Sequence, residues 1–133
     1  MSDIYEFVLV GGQKITAGAL ASFREKIPFL IVKGGELEGL AEAPHLGEQV
    51  KFLARYVEDV LGGTFSAEDL AAVPESVFAL SYVLRDVDII PDTVPGKGYS
   101  DDSAVVRCVL ESHAREFEKY ASSQNFKVPA MAA

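Results

Sequence analysis

The chain has little of several features that would point to a particular compartment. It has one cysteine, Cys108, so no intramolecular disulfide can form. Its longest unbroken apolar runs, at 7–10 and 28–32, are much shorter than the roughly 18 residues of a membrane span. The first six residues carry acids where a signal peptide would carry basic residues. We therefore expect a cytoplasmic protein with no membrane span.

Basic residues are also scarce. Lysine and arginine number 12 against 20 acidic residues, and the formal net charge is -8. The basic residues are scattered along the chain, whereas a nucleic-acid interface needs them clustered. The same scarcity disfavours binding to anionic membrane surfaces. At 133 residues the chain is long enough for one domain with a substantial core.

Familiar catalytic and cofactor motifs are missing from the sequence. Gly11-Gly12 followed by Lys14 fits neither the dinucleotide fingerprint nor the phosphate loop, so a plain turn is expected there. Cys108 has no neighbouring histidine or carboxylate in a nucleophile pattern and is expected to be a small core residue or to lie close to one. His113 is expected to be hydrogen-bonded or partly exposed rather than a metal ligand.

Hydrophobic periodicity predicts an all-α fold, a bundle of four to five helices. Residues 4–10 fit a strand or a short helix. The helix is favoured, because no second convincing strand is present to pair with a first one. A helix over 17–26 is expected after the capping residue Thr16, with an interruption at Pro28 and a stop at Gly34-Gly35.

The second half of the chain has clearer helical patterns. An amphipathic helix is predicted over 45–61, ended by Gly62-Gly63. Ser66 and Asp69 resemble a capping box for a short helix over 67–72, and the next helix is expected to begin at Pro74. A last helix is predicted from about Ser100 to Ser122. Residues 1–122 would then form one helical domain, and 123–133 a flexible C-terminal tail.

Residues 82–102 form a segment rich in aspartate, proline and glycine, expected to be a structured loop before the last helix. It contains Asp86, Asp88, Asp92, Asp101 and Asp102. Carboxylates on a bent loop could bind Mg²⁺ or Ca²⁺, which prefer oxygen ligands, and Asp88, Asp92, Asp101 and Asp102 are the candidate metal ligands. The spacing is not that of an EF-hand. Helix capping and turn formation explain the same residues and are the favoured interpretation.

The order of residues in this segment resembles a widespread family of uncharacterised small helical proteins, the domain-of-unknown-function family 1232. The similarity covers about residues 75–110. The matching positions are Tyr82, Asp88, Ile90, Pro91, Asp92, Pro95, Gly98, Asp101 and Asp102. One departure is Asp86, which stands where the family has a proline. The resemblance implies a helical module, attached to membrane segments in some members, and implies no activity.

Together these patterns predict a non-catalytic binding or interaction module that contacts a protein partner or a second copy of itself. The alternative is a divalent-metal-dependent enzyme or metal-binding protein that uses the aspartate segment. No catalytic residue and no cofactor other than Mg²⁺ or Ca²⁺ is predicted.

Overall fold

The computed structural model of the chain describes residues 2–89 and 99–132. These residues form seven α-helices and no β-strand, which confirms the all-α prediction and the helical interpretation of residues 4–10. In chain order the helices are α1 (Ser2–Gln13), α2 (Ala17–Phe23), α3 (Ile27–Leu37), α4 (Leu46–Leu61), α5 (Ala72–Ile89), α6 (Ser100–Ser112) and α7 (Ala114–Gln124). None of the helices in the described part of the chain is long and apolar enough to cross a membrane.

The helices outnumber the predicted four to five because two predicted helices are interrupted. A 3-10 turn at Arg24–Lys26 separates α2 from α3, and Pro28 lies in the first turn of α3. Proline is tolerated there because the first N–H groups of a helix have no partner within it. The glycine pair expected to stop this region lies inside α3, so that prediction was wrong. The second interruption, at His113, is part of the candidate site.

Local capping signals were predicted with mixed success. The hydroxyl of Thr16 accepts a hydrogen bond from the backbone N–H of Ala19 at 3.0 Å, which confirms it as the cap of α2. Helix α4 has almost the predicted bounds. The short helix predicted over 67–72 is absent, and α5 begins at Ala72 instead. There Asp69 accepts from the N–H of Ala71 at 3.2 Å, which favours a turn over a helix.

The core is centred on α4, whose buried face runs the length of the helix. Leu46, Val50, Leu53, Tyr56 and Val57 are all fully buried. The apolar face of α7 packs against it through a cluster of edge-to-face aromatic rings, which is a favourable arrangement. The rings of this cluster belong to Phe52, Tyr56, Phe65, Phe117, Tyr120 and Phe126.

Two helix contacts are so close that only glycine fits. A methyl group on Gly11 of α1 would overlap the ring of Phe78 on α5. A methyl group on Gly47 of α4 would overlap the carbonyl oxygen of Gly34 on α3. The expected turn at Gly11-Gly12 was therefore wrong, because both residues lie within α1 and allow it to approach α5.

The residues after α7 lie against the helical body. Asn125, with a φ of 68°, ends α7 in the left-handed conformation that asparagine tolerates. Beyond it, Val128 and Met131 pack against the core while partly exposed. The predicted flexibility of 123–133 stays a prediction.

Candidate functional site

The aspartate segment divides between two helices and a stretch outside the described residues. Helix α5 continues through Asp86 and Asp88 to Ile89, so the predicted loop begins later than residue 82. The reason is local. No proline or glycine occurs between Tyr82 and Pro91, and a proline disfavours helical geometry at the residue directly before it. Asp92 lies outside the described residues, as does the side chain of Asp88.

Asp101 and Asp102 lie in the first turn of α6, where the helix dipole favours negative charge. The residue at the N-cap itself is Tyr99, which makes no side-chain capping bond, so capping by the aspartates was predicted two to three positions too late in the chain. The two carboxylates differ in environment: Asp101 is exposed and Asp102 is fully buried. Their role as metal ligands stays a prediction, and the described residues contain no group of three or more side chains suited to holding a metal ion.

The metal hypothesis predicts a specific thermal result. Adding millimolar Mg²⁺ should raise the Tm, because a ligand that binds only the folded state stabilises it by about 2.7 kcal/mol at 100 times its Kd. Asp92→Asn should remove this increase, and Asp3→Asn, on α1, should retain it. A Tm that does not change with either Mg²⁺ or Ca²⁺ would contradict a metal site in this segment.

A second group of polar side chains, assembled by the fold, lies where α6 passes into α7. His113 occupies the break between these helices, with backbone angles outside the helical region. Its Nδ1 is 2.6 Å from a carboxylate oxygen of Asp69, and its Nε2 is 2.8 Å from one of Glu75. The His113 and Glu75 side chains are 10% and 6% exposed. Both ring nitrogens are therefore occupied, and the expectation of a hydrogen-bonded histidine is confirmed.

Glu116, one turn into α7, lies next to this histidine and is also buried. One carboxylate oxygen accepts from the hydroxyl of Tyr56 at 2.7 Å. The other accepts from the backbone N–H groups of Glu68 and Asp69 at 3.3 and 3.2 Å. Glu116 thus ties the segment between α4 and α5 to α4 and α7, and so holds Asp69 in place beside His113.

The charges of this cluster affect the pKa of its members. Burial lowers the pKa of His113. The hydrogen bonds to Glu75 and Asp69, together with their negative charges, raise this pKa by more, so it lies above the ordinary 6.5. Burial also raises the pKa of Tyr56, and its hydrogen bond to Glu116 adds to the effect. His113 is therefore hydrogen-bonded to both Asp69 and Glu75, and the phenol of Tyr56 is neutral at neutral pH.

The raised pKa of His113 gives stability a predictable dependence on pH. Since the folded pKa lies above the unfolded value of about 6.5, the stabilisation is complete below that pH and is lost as the pH rises through the folded pKa. Urea unfolding at about pH 6 should therefore give a larger free energy of unfolding than at about pH 9. His113→Gln should reduce this difference. Replacing the other histidine, in His45→Gln, is the control; a reduction of the same size there would contradict the assignment.

Chemically, this polar cluster is suited to structure rather than to proton transfer with a substrate. A general base needs a free lone pair within reach of the proton that it removes. Both His113 nitrogens instead face carboxylates of the same chain, and Glu116 is occupied by three donors. The cluster fixes three chain segments at one point.

An apolar groove of about 540 Å³ lies between α1 and α6. Its lining includes Ile4, Tyr5, Ala104 and Cys108. Burial raises the pKa of the Cys108 thiol, which is unfavourable for a reactive thiolate. Cys108 is partly buried and packs against the core, so of the two expected positions it has the one close to the core.

Helix α1 also exposes three large apolar residues. Tyr5, Phe7 and Val10 are 51%, 46% and 44% exposed, although all three are large and apolar. The ring of Phe7 also packs edge-to-face on Phe78 and Tyr82 of α5. We name the groove surface, made by Ile4, Tyr5, Ala104 and Cys108, the α1–α6 surface. Periodicity could have indicated it, since α1 has apolar residues on more than one face.

Comparison with known proteins finds a family similarity in one segment of the chain. No curated protein and no solved structure matches the chain. The matched segment begins in the second turn of α5 and ends within α6, two helices that pack against each other. It carries the Asp, Pro and Gly positions on which the sequence resemblance was based. That resemblance is confirmed: residues 76–107 match the family described as a protein of unknown function (DUF1232).

Proposed function

We propose that this protein is a non-catalytic interaction module, and that its α1–α6 surface docks an amphipathic helix of a protein partner. The observation that carries this proposal is the exposure of Tyr5 on the lining of an apolar groove. Apolar patches of this kind on small proteins commonly mark interaction sites. A groove between two helices suits a third helix, whose apolar side chains recur every three or four residues.

The charges around this surface favour a partner helix with basic residues. Asp3 and Glu6 are exposed on α1, and Glu111 lines the groove on α6. Among the described residues that line the groove, the one basic side chain is Arg107, whose Nε donates to Ser103 at 3.1 Å. A second copy would bring the same acidic rim to the contact, and the net charge of -8 adds to the repulsion. Lysine or arginine on the polar face of a partner helix would instead complement the rim.

A pair of designed peptides tests this proposal. Both have about 14 residues with leucine at helical spacing, and their remaining positions are lysine in one and glutamate in the other. We expect the lysine peptide to bind, measured by fluorescence anisotropy, and the glutamate peptide to bind at least about tenfold more weakly. Added salt should weaken the first interaction, because the charges at the rim are exposed.

Two double variants locate the binding. Ile4→Ser with Tyr5→Ser should weaken binding of the lysine peptide by at least about tenfold, because two apolar contacts of the groove lining are lost. The matched control is Phe29→Ser with Val32→Ser on α3, where an aromatic residue and a valine are 69% and 63% exposed. This control should bind the peptide as the unmodified chain does. Equal loss in both variants, or in neither, would overturn the proposal.

Sedimentation at micromolar concentration separates the partner helix from a second copy. The unmodified chain should sediment as a monomer. A dimer that Ile4→Ser with Tyr5→Ser abolishes would assign the α1–α6 surface to self-association and overturn the proposal of a partner helix.

A further inference from the structure

A buried glutamine on α4 contacts the segment that follows α7. The side chain of Gln49 is fully buried, in a helix whose other buried residues are almost all apolar. Its Nε2 donates to the carbonyl oxygens of Ala130 and Ala132, at 2.6 and 2.9 Å. A buried amide is costly unless it is hydrogen-bonded, so these two bonds give Gln49 a reason to be there.

Gln49 contacts only main-chain oxygens of this segment. Its amide nitrogen has hydrogen-bond partners among the described residues, and its amide oxygen has none. In the described residues, the amide of Gln49 donates hydrogen bonds to two carbonyl groups and to no side chain. Its Oε1 is buried, and no donor among the described residues lies within hydrogen-bond distance of it. An amide side chain offers a donor group and an acceptor, and an extended backbone presents both carbonyls and N–H groups. Gln49 is therefore suited to holding a non-helical chain by its main chain, whatever its side chains.

Apolar side chains of residues 126–132 supply the remainder of this contact. Phe126 packs on Phe52 of α4 and on Tyr120 of α7, with ring centroids 6.0 and 5.4 Å apart. Val128 and Met131 are partly buried against the core. Phe126 and Val128 are two positions apart, which in an extended segment places both on the same face. The segment has no helix or strand of its own.

We propose that the face of α4 around Gln49 is a second binding site, for a non-helical peptide segment of a protein partner with apolar side chains at the spacing of Phe126 and Val128. Residues 126–132 fill it within the chain and so compete with the partner. A tethered segment competes at an effective concentration of about millimolar, so a partner binds only when its affinity exceeds that of the tethered segment or when the segment is released. This site shares no residue with the α1–α6 surface and does not depend on the function proposed there.

The test uses the full chain with a weakened tethered segment. In Phe126→Ser with Val128→Ser, the two apolar contacts are removed while Gln49 stays. The probe is a fluorescent, end-capped peptide with the sequence of residues 125–132. We expect it to bind this variant at least about tenfold more tightly than the unmodified chain, because its tethered competitor is weakened. A peptide with the same two serine replacements should not bind.

Gln49 is tested within the same variant. Adding Gln49→Leu should weaken peptide binding by at least about tenfold, since the amide that donates to the peptide carbonyls is lost. Adding Gln124→Leu is the matched control, because that amide donates only to Ser123 at its own helix end, at 3.2 Å. It should leave binding unchanged. Equal effects of the two replacements, or no tighter binding to the weakened variant, would overturn the proposal.

A second measurement does not depend on the folding of any variant. The side-chain amide signal of Gln49 in a ¹⁵N NMR spectrum of the unmodified chain should move when millimolar peptide is added. A signal that does not move at that concentration would overturn the site. A dimer in sedimentation whose formation needs Phe126 and Val128 would assign the site to the segment of a second copy, and would overturn a separate partner.

Discussion

Replacing Glu116 with alanine is expected to lower the free energy of unfolding by about 3 kcal/mol, because it leaves the buried hydroxyl of Tyr56 and two partly buried backbone N–H groups without their acceptor. The hydroxyl of Tyr56 and the backbone N–H groups of Glu68 and Asp69 all donate to this carboxylate. The loss also includes the side chain's packing, since Glu116 is only 3% exposed. Urea unfolding followed by circular dichroism measures it.

Glu116→Gln separates hydrogen bonding from charge. Glutamine keeps the shape of the side chain, an oxygen that can accept from the two backbone N–H groups, and an amide that can donate to Tyr56. We expect it to lose no more than about 1–2 kcal/mol. Hydrogen exchange should show faster opening of residues 64–71 in the alanine variant than in the glutamine variant. Equal destabilisation by both replacements would mean that the charge, rather than the bonding geometry, stabilises this junction.

Gly47→Ala is expected to destabilise the protein by about 3 kcal/mol, although alanine is the better helix former. An added methyl group would overlap the carbonyl oxygen of Gly34 and lie 2.7 Å from the backbone nitrogen of Glu38. Both obstacles are backbone atoms, so a rotamer change cannot relieve them. Helices α3 and α4 must move apart, and the contact between them is the most extensive helix pair in the described structure. The Tm should fall by about 10 °C.

Gly35→Ala is the matched control and should have the opposite sign. Gly35 lies in α3, one residue from the crossing point, and nothing lies within 4 Å of the position of its added methyl group. Alanine there should stabilise the protein by about 0.5–1 kcal/mol through its higher helix propensity. If both alanines destabilise equally, the close approach of α3 and α4 at Gly47 is not what limits this position.

The parts of the fold that were predictable from sequence are those set by local pattern. Helix α4 has a continuous apolar stripe and a glycine pair after it, and its predicted bounds of 45–61 differ from the observed Leu46–Leu61 by one residue. Thr16 lies directly before its helix and can satisfy a free N–H without help from the rest of the chain. The resemblance of residues 76–107 also rests on local order and spacing.

Glycine was the main source of error. Glycine pairs were interpreted as turns or stops at Gly11-Gly12 and Gly34-Gly35, yet both pairs lie inside helices. A glycine that stops a helix and a glycine that lets two helices meet look alike in sequence. Only the neighbouring helix, with Phe78 in one case and the backbone of Gly47 in the other, shows which role applies.

The polar cluster was not predictable for a similar reason. His113 is far in the sequence from both Asp69 and Glu75, and no spacing rule connects it to them. The break between α6 and α7 coincides with the histidine that these two carboxylates hold, so a continuous last helix was the reasonable but wrong expectation. Gln49 is a similar case, since a glutamine inside an apolar stripe gives no indication of the main chain that it contacts.

By itself the sequence determined the class of the fold, the places where most helices begin, and the segment with a family resemblance. These follow from forces that act within one or two helical turns: side-chain periodicity, capping and the rigidity of proline. The tertiary structure decided which glycines are contact points, which carboxylates share His113, and which apolar residues stay exposed on α1. These depend on which distant surfaces meet, and burial, hydrogen bonding and close packing act only after they have met.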